Sequence, residues 1–306
     1  MNHAIRKTLF VLLAAILLPV TAVSGADTAS KPATDAGPRI VSVGSDITEI
    51  LYELGLGEKI VAVDTTSTFP AQALKEKSNV GYMRALSAEG VLALAPTMIL
   101  ATRRAGPPEA VKALKSSSVK FVEVPDEHTA DGILQKIAML AEATGREKEA
   151  QRLTKTVSDA FDALNKDREA ITTRKRVLFV LNASGDRMIV GGKGTSAEAA
   201  LRLAGAKNAA DSITGFKPIT PEGLVAMAPD AIVLMRGGRD GDDAKALAQR
   251  PAVKLTPAGA HPEPMILPMG GSYLIGFGPR TPKAVRELMT WLYPEIGKAE
   301  LGGNKS

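Results

Sequence analysis

Tyr82 and Arg84 lie two residues apart in the run Gly81-Tyr82-Met83-Arg84-Ala85-Leu86-Ser87-Ala88-Glu89-Gly90. A phenolate is a hard anionic oxygen donor suited to ferric iron, tyrosine is an axial ligand of haem iron in some proteins, and a neighbouring guanidinium favours the anion. A lone tyrosine more often serves as a half-buried cleft residue with its hydroxyl hydrogen-bonded. The arginine at the second position on sets this one apart. Histidine chemistry is poorly supplied: His3 sits in an apolar leader, His128 near a helix start and His261 in a loop before Pro262. No two stand at metal-ligand spacing, which argues against a zinc or manganese site. His261 is a candidate second axial ligand, although a surface-loop histidine is the commoner use.

Arg103, Arg104, Arg236, Arg239 and Arg280 all fall in expected loops. Arg103 and Arg236 occupy matched positions after matched strands, so two such loops facing one another would present guanidinium forks to a carboxylate-bearing ligand. Tyr273, in the glycine-rich run Gly270 to Arg280, is a further ligand-facing candidate. Met83, Met235, Met265, Met269 and Phe277 would suit the apolar walls of a flat ligand and equally suit the core. Glu89 and Glu222 form a matched acidic pair, each near a helix start. There a carboxylate offsets the helix dipole by a few tenths of a kcal/mol, or meets a basic pocket on a two-fold partner. Gly191-Gly192-Lys193-Gly194-Thr195-Ser196 lacks the spacing of a phosphate loop. No Gly-x-Ser-x-Gly elbow is present.

The elements that must position these residues follow a strand, helix, strand rhythm. Residues 39–44 and 60–64 read as strands, with a helix opening at Ser45-Asp46 and ending at Gly55 between them; the connection implies a parallel sheet with right-handed crossovers. Ser87 is a candidate N-cap, Pro96 stops the helix, and Thr97 to Leu100 read as a buried strand. Loop 102–108 then leaves the C-terminal end of that strand, where open α/β sheets bind ligands. The pattern returns as Ile219-Thr220-Pro221-Glu222-Gly223 through Pro229 and a strand over 230–234, at an offset that also aligns Glu89 with Glu222, Pro96 with Pro229 and Arg103 with Arg236. Two similar α/β lobes are expected, the second copying the first. Residues 128–171 are helical in character with a break at Thr144-Gly145. The chain therefore divides into an N-terminal lobe at 39–144, a linking helix at 145–172 and a C-terminal lobe at 173–306.

Arg6 and Lys7, the apolar run Leu9 to Val23 and Ser24-Gly25-Ala26 read as a cleaved secretory signal over residues 1–26, followed by a disordered leader over 27–38. The apolar run is shorter than the roughly 20 residues that span a bilayer. Cysteine is absent, which removes disulfides, thiolate metal sites and a lipid-bearing cysteine. The chain is thus expected free in the periplasm, as a monomer. Its 38 basic and 33 acidic residues are interspersed and aromatics are 4% of the chain, so no basic, aromatic-studded surface points to nucleic acid.

The leader, Arg-Ile-Val-Ser-Val-Gly-Ser-Asp-Ile-Thr-Glu-Ile-Leu at 39–51, Gly-Tyr-Met-Arg-Ala-Leu-Ser-Ala-Glu-Gly at 81–90, Gly-Lys-Gly-Thr at 192–195 and Gly-Phe-Gly-Pro-Arg-Thr-Pro at 276–282 together resemble the periplasmic haem-binding proteins of bacterial ATP-binding-cassette importers. The resemblance spans residues 39–294. It implies the class III periplasmic binding protein fold, with two Rossmann-like lobes on one long helix, limited closure, and no catalysis. Ferric haem would be held in the cleft by a tyrosinate at Tyr82, supported by Arg84, and handed to an inner-membrane permease with its ATPase, downstream of an outer-membrane haem receptor. Glu89 and Glu222 match the pair that engages permease arginines. Some relatives add a second-lobe histidine; here Asn182-Ala183-Ser184-Gly185 stands in that passage. The strand-one pattern and paired glutamates are shared with carriers of cobalamin and ferric siderophores, which remain the alternative. A periplasmic haem-degrading enzyme is a third reading, opposed by the lack of a proton-transfer constellation.

Overall fold

Apolar β-branched residues dominate the first strands, and the sheet they form is buried on both faces, as expected for parallel strands covered by crossover helices. The computed structural model describes residues 37–183, 187–236 and 242–296. The secretory signal read over 1–26, most of the leader and Arg239 lie outside them. The chain runs β1 (Ile40–Val43), α1 (Ser45–Glu53), β2 (Ile60–Val63), α2 (Gln72–Glu76), β3 (Ser78–Asn79), α3 (Ala88–Leu92), β4 (Met98–Thr102), α4 (Pro108–Lys115), β5 (Lys120–Val124) and α5 (Ala130–Thr144). These five strands form one parallel sheet in the order β3-β2-β1-β4-β5.

Gly145, with φ 67°, ends α5, and α6 (Glu147–Glu169) carries the chain to a second sheet. The order continues β6 (Arg176–Asn182), β7 (Met188–Gly191), α7 (Ser196–Leu203), β8 (Lys207–Asn208), β9 (Phe216–Ile219), α8 (Pro221–Met227) and β10 (Ala231–Arg236). It ends with α9 (Asp242–Ala248), α10 (Pro251–Lys254), α11 (Pro257–Ala260), β11 (Ile266–Gly270), α12 (Gly271–Ile275) and α13 (Thr281–Leu292). The second sheet has the order β11-β10-β6-β7-β9, with β8 also on β6. It is mixed: β7 runs antiparallel to β6 and β9 antiparallel to β7. The second half therefore does not simply copy the first. The glycine-rich passage 182–194 contains the strand β7, and the run 270–280 contains α12 rather than a plain loop.

Where the halves do correspond, they do so in detail. Ser87 Oγ accepts from Gly90 N at 3.1 Å and Thr220 Oγ1 from Gly223 N at 3.2 Å, so α3 and α8 carry equivalent N-caps. An alanine in the left-handed region follows each helix, Ala95 at φ 47° after the turn that ends α3 and Ala228 at φ 43° directly capping α8, each just before a proline. Arg39, just before β1, donates to Leu94 O and Ala95 O; Arg176, opening β6, donates to Met227 O. Each lobe thus ties the C-terminal carbonyls of its short acidic helix to the start of its first strand.

One apolar core runs between the two sheets. Ile47 and Ile50 of α1, Ile137 of α5, Val157 and Phe161 of α6, Val177 of β6, Phe277, and Val285 and Leu288 of α13 belong to the same buried cluster. Separate clusters cover the outer face of each sheet. Among the described residues no helix is long and apolar enough to cross a membrane.

Candidate ligand-binding cleft

A cavity of about 360 Å³ lies where the C-terminal ends of strands from both sheets converge. Gly44 to Asp46 follow β1, Thr66 follows β2, Arg104 follows β4, Leu181 ends β6, Met235 ends β10, and Gly271 and Ser272 follow β11. Tyr82, Met83, Arg84, Ser196, Phe216 and Ile275 complete the lining. The volume is within the roughly 300–1,000 Å³ of small-molecule sites.

Asp64, fully buried, ties the lining residues Gly44 and Thr66 together from behind. Its Oδ1 accepts from Gly44 N (2.9 Å) and Ser67 Oγ (2.9 Å), and its Oδ2 from Thr66 N (2.9 Å) and Thr66 Oγ1 (2.6 Å). Gly44 sits at φ 127°, a conformation that a side chain would strain, and this turns the chain from β1 into α1 at the cavity edge. Nothing in the local pattern around Asp64 marks it in advance, because its role depends on the neighbouring strand.

Tyr82 is held by a turn rather than by a helix or strand. Gly81, at φ 85°, donates its N–H to Asn79 Oδ1 and accepts from Thr65 N on its carbonyl; Ala85 N closes the turn on Tyr82 O at 2.7 Å. Met83, 8% exposed, anchors the turn in the core on the outer face of the first sheet. Tyr82 itself is 46% exposed at the cavity. A second loop is stitched to it, with Gly106 N donating to Met83 O and Leu86 N to Gly106 O, which brings Arg84 and Arg104 to the same wall.

Arg103, Arg236 and Tyr273 do not line this cavity. Arg103 turns outward to Glu123, Nε to Oε1 3.5 Å, while its neighbour Arg104 lines the cavity; the two part within the turn after β4, which Ala105 N closes on Thr102 O at 2.8 Å. Strand alternation puts Met235 in the cavity and Arg236 outside, where it donates to Pro268 O. Tyr273 donates its hydroxyl to Glu287 at 3.2 Å. Burial first, then the Glu287 carboxylate, push its phenol up to about 12, so it stays neutral. His261 is exposed, with Nδ1 2.6 Å from Glu263 O, away from the cavity. Of the apolar candidates Met83 and Met235 line the cavity, whereas Met265, Met269 and Phe277 pack in the cores. Leu181, Phe216 and Ile275 supply the remaining apolar wall.

The two halves are clasped at one rim. Glu49 of α1, 4% exposed, accepts from Arg280 N and Arg280 Nε, both at 2.8 Å, and the Arg280 guanidinium stacks 3.6 Å above the Phe69 ring. Burial raises the Glu49 carboxyl above its ordinary range, against the opposing pull of Arg280. Lys136, 1% exposed, bridges Asp46 Oδ2 (2.5 Å) and Phe277 O (2.7 Å). Thr68 and Ser272 share a hydrogen bond of 2.7 Å. Among the described residues no cluster of three or more acidic, histidine or cysteine side chains is arranged to hold a metal ion. Glu89 and Glu222 are exposed, each at the second position of its helix. Its own backbone N–H and Thr220 hold the Glu222 carboxyl below its usual range.

The periplasmic binding protein family model matches residues 40–263. A solved structure, the periplasmic haem-binding protein RhuT from Roseiflexus sp. RS-1 in apo form, is 35% identical with TM-score 0.78, covering 85% of this chain and 99% of that one. An uncharacterized ABC transporter substrate-binding lipoprotein of Bacillus subtilis (strain 168) is 32% identical over 263 residues, 85% of this chain and 81% of that protein. A vitamin B12-binding protein of Pectobacterium atrosepticum is 27% identical over 201 residues, 64% of this chain and 71% of its own. A parallel sheet and a mixed sheet on one long helix, a cleft at their strand ends and these matches agree: the chain belongs to the periplasmic binding protein family, as a class III substrate-binding protein of an ABC importer that works outside the cytoplasm.

Proposed function

We propose that this protein binds ferric haem in the cleft and delivers it across the periplasm to an inner-membrane permease and its ATPase, without catalysis. The observation that carries the reading is Tyr82: a half-exposed phenol at an apolar cavity, on a glycine-dependent turn, with Arg84 beside it. An oxygen ligand of this kind suits ferric iron, and Phe216, Leu181, Met235 and Ile275 offer an apolar wall to a flat ring. Residues 39–144 and 173–306 act as the two lobes about the helix at 145–172. Glu89 and Glu222 dock the carrier, one on each half of the permease. The 35% identity to a solved haem-binding protein supports the same ligand. Residues 1–26 serve as the cleaved export signal.

The test is an absorption titration of the mature chain with hemin, for the native protein and Tyr82→Phe. Saturable binding with a high-spin ferric tyrosinate spectrum, lost or altered in the variant, is the expected result. An unchanged variant spectrum removes Tyr82 as the ligand, and no saturable binding removes haem. The 27% identity to a vitamin B12-binding protein motivates the second reading, a cobalamin carrier. Cyanocobalamin in the same titration decides between them: a corrinoid bulky on both faces needs more room and no tyrosinate.

A further inference from the structure

Arg104 is the cavity-lining cation that the fold holds in place from behind. Its Nε is buried 2.7 Å from Asp126 Oδ2, at an angle that makes the contact an ion pair rather than an aligned hydrogen bond. Asp126 is 11% exposed and also lies 3.2 Å from His128 Nε2; the His128 ring in turn packs on the Phe277 ring, centroids 5.1 Å apart. The arginine therefore rests on a bracket that ends in the core shared by both halves. Burial works to raise the Asp126 carboxyl, and His128, Arg104 and Lys136 together outweigh it and hold it lowered, so Asp126 stays an anion behind the guanidinium. Among the described residues no hydrogen bond engages Nη1 or Nη2 of Arg104. With Asp126 seated against Nε, the guanidinium keeps the flat two-donor edge of Nη1 and Nη2, which matches the two oxygens of a carboxylate. The cavity's own carboxylate does not compete, because Asp46 is already paired with buried Lys136.

We propose that Arg104 is the carboxylate-recognition residue of the cleft and Asp126 its positioning residue, so that the site selects ligands by an anionic carboxylate edge. The assignment rests on the haem reading, in which that edge is a propionate. Arg103, the neighbour in sequence, has no part in it.

Hemin and hemin dimethyl ester, titrated in the same mixed solvent, separate the possibilities, since the ester keeps the ring and iron and loses the anions. Arg104→Gln is expected to weaken hemin about 10- to 100-fold and leave the diester within about 3-fold. Asp126→Asn should lower the hemin-to-ester preference less, with thermal unfolding checked for both variants and Arg104→Lys as a charge-retaining control. An equal loss for both ligands makes Arg104 structural and overturns the proposal, as does unchanged hemin binding. A native chain that binds neither ligand overturns the haem reading itself, and this proposal with it.

Discussion

Asp64 holds the turns after β1 and β2 at the cleft, and Arg104 lines its wall. Asp64→Ala would leave Gly44 N, Thr66 N and two hydroxyls without their acceptor in a buried place. A loss of about 3 kcal/mol in urea unfolding is expected, with weaker hemin binding because the β1 turn loosens. Asp126 gives a pH signature. Its carboxyl is held below the ordinary 3.8, so its contribution is complete above that value and disappears as pH falls through the lowered one. Urea midpoints measured between about pH 5 and about pH 3 should therefore drop less steeply for Asp126→Asn than for the native chain. Tyr82 and Arg84 stand out in the sequence as an unusual pair at short spacing, and the structure brings both to the cavity. The repeat singles out Arg103 over its neighbour Arg104, and only the turn after β4 decides that Arg104 is the one at the cavity.

At the scale of elements, the best-read parts were those with strong local grammar. Short, nearly continuous apolar runs and a polar helix start define β1, α1 and β2, and a cap, a glutamate and a proline define both α3 and α8. The antiparallel insertion was hidden, since β7 sits in a glycine-rich stretch and β9 carries Pro218, both poor advertisements for a strand. Short α9, α10 and α11 have too few turns to show a period. The repeat makes a paired prediction. Ala95 and Ala228 both carry left-handed backbone that alanine adopts at a cost of about 1–2 kcal/mol, partly offset by the flexibility a glycine adds to the unfolded chain. Ala95→Gly and Ala228→Gly should each stabilise the protein by about 0.5–1 kcal/mol, read as a higher thermal midpoint. A gain at one position only would show that the two helix ends are not equivalent.

At the largest scale, packing among the described residues is continuous across both sheets. Apolar packing continues from α1 and α5 through Phe277 into α13, and the Glu49–Arg280 and Asp46–Lys136 links close the same rim. Small-angle scattering of the protein with and without hemin should then differ by a backbone change of under about 1 Å. Arg280→Ala, which strands buried Glu49, should enlarge that difference and cost about 3 kcal/mol or more of stability. Docking is tested at this scale too. Reversing Glu89 and Glu222 together to arginine should keep hemin binding and abolish stimulation of the importer's ATPase in proteoliposomes, while unchanged stimulation would place the contact elsewhere. The clasped rim has a consequence for traffic. On the proposed carrier function, a messenger whose outline hardly alters with its cargo is expected to queue at the same door whether full or empty, so surplus empty protein added to importer-bearing proteoliposomes should slow uptake, and supply should follow the fraction of carriers loaded as much as their number.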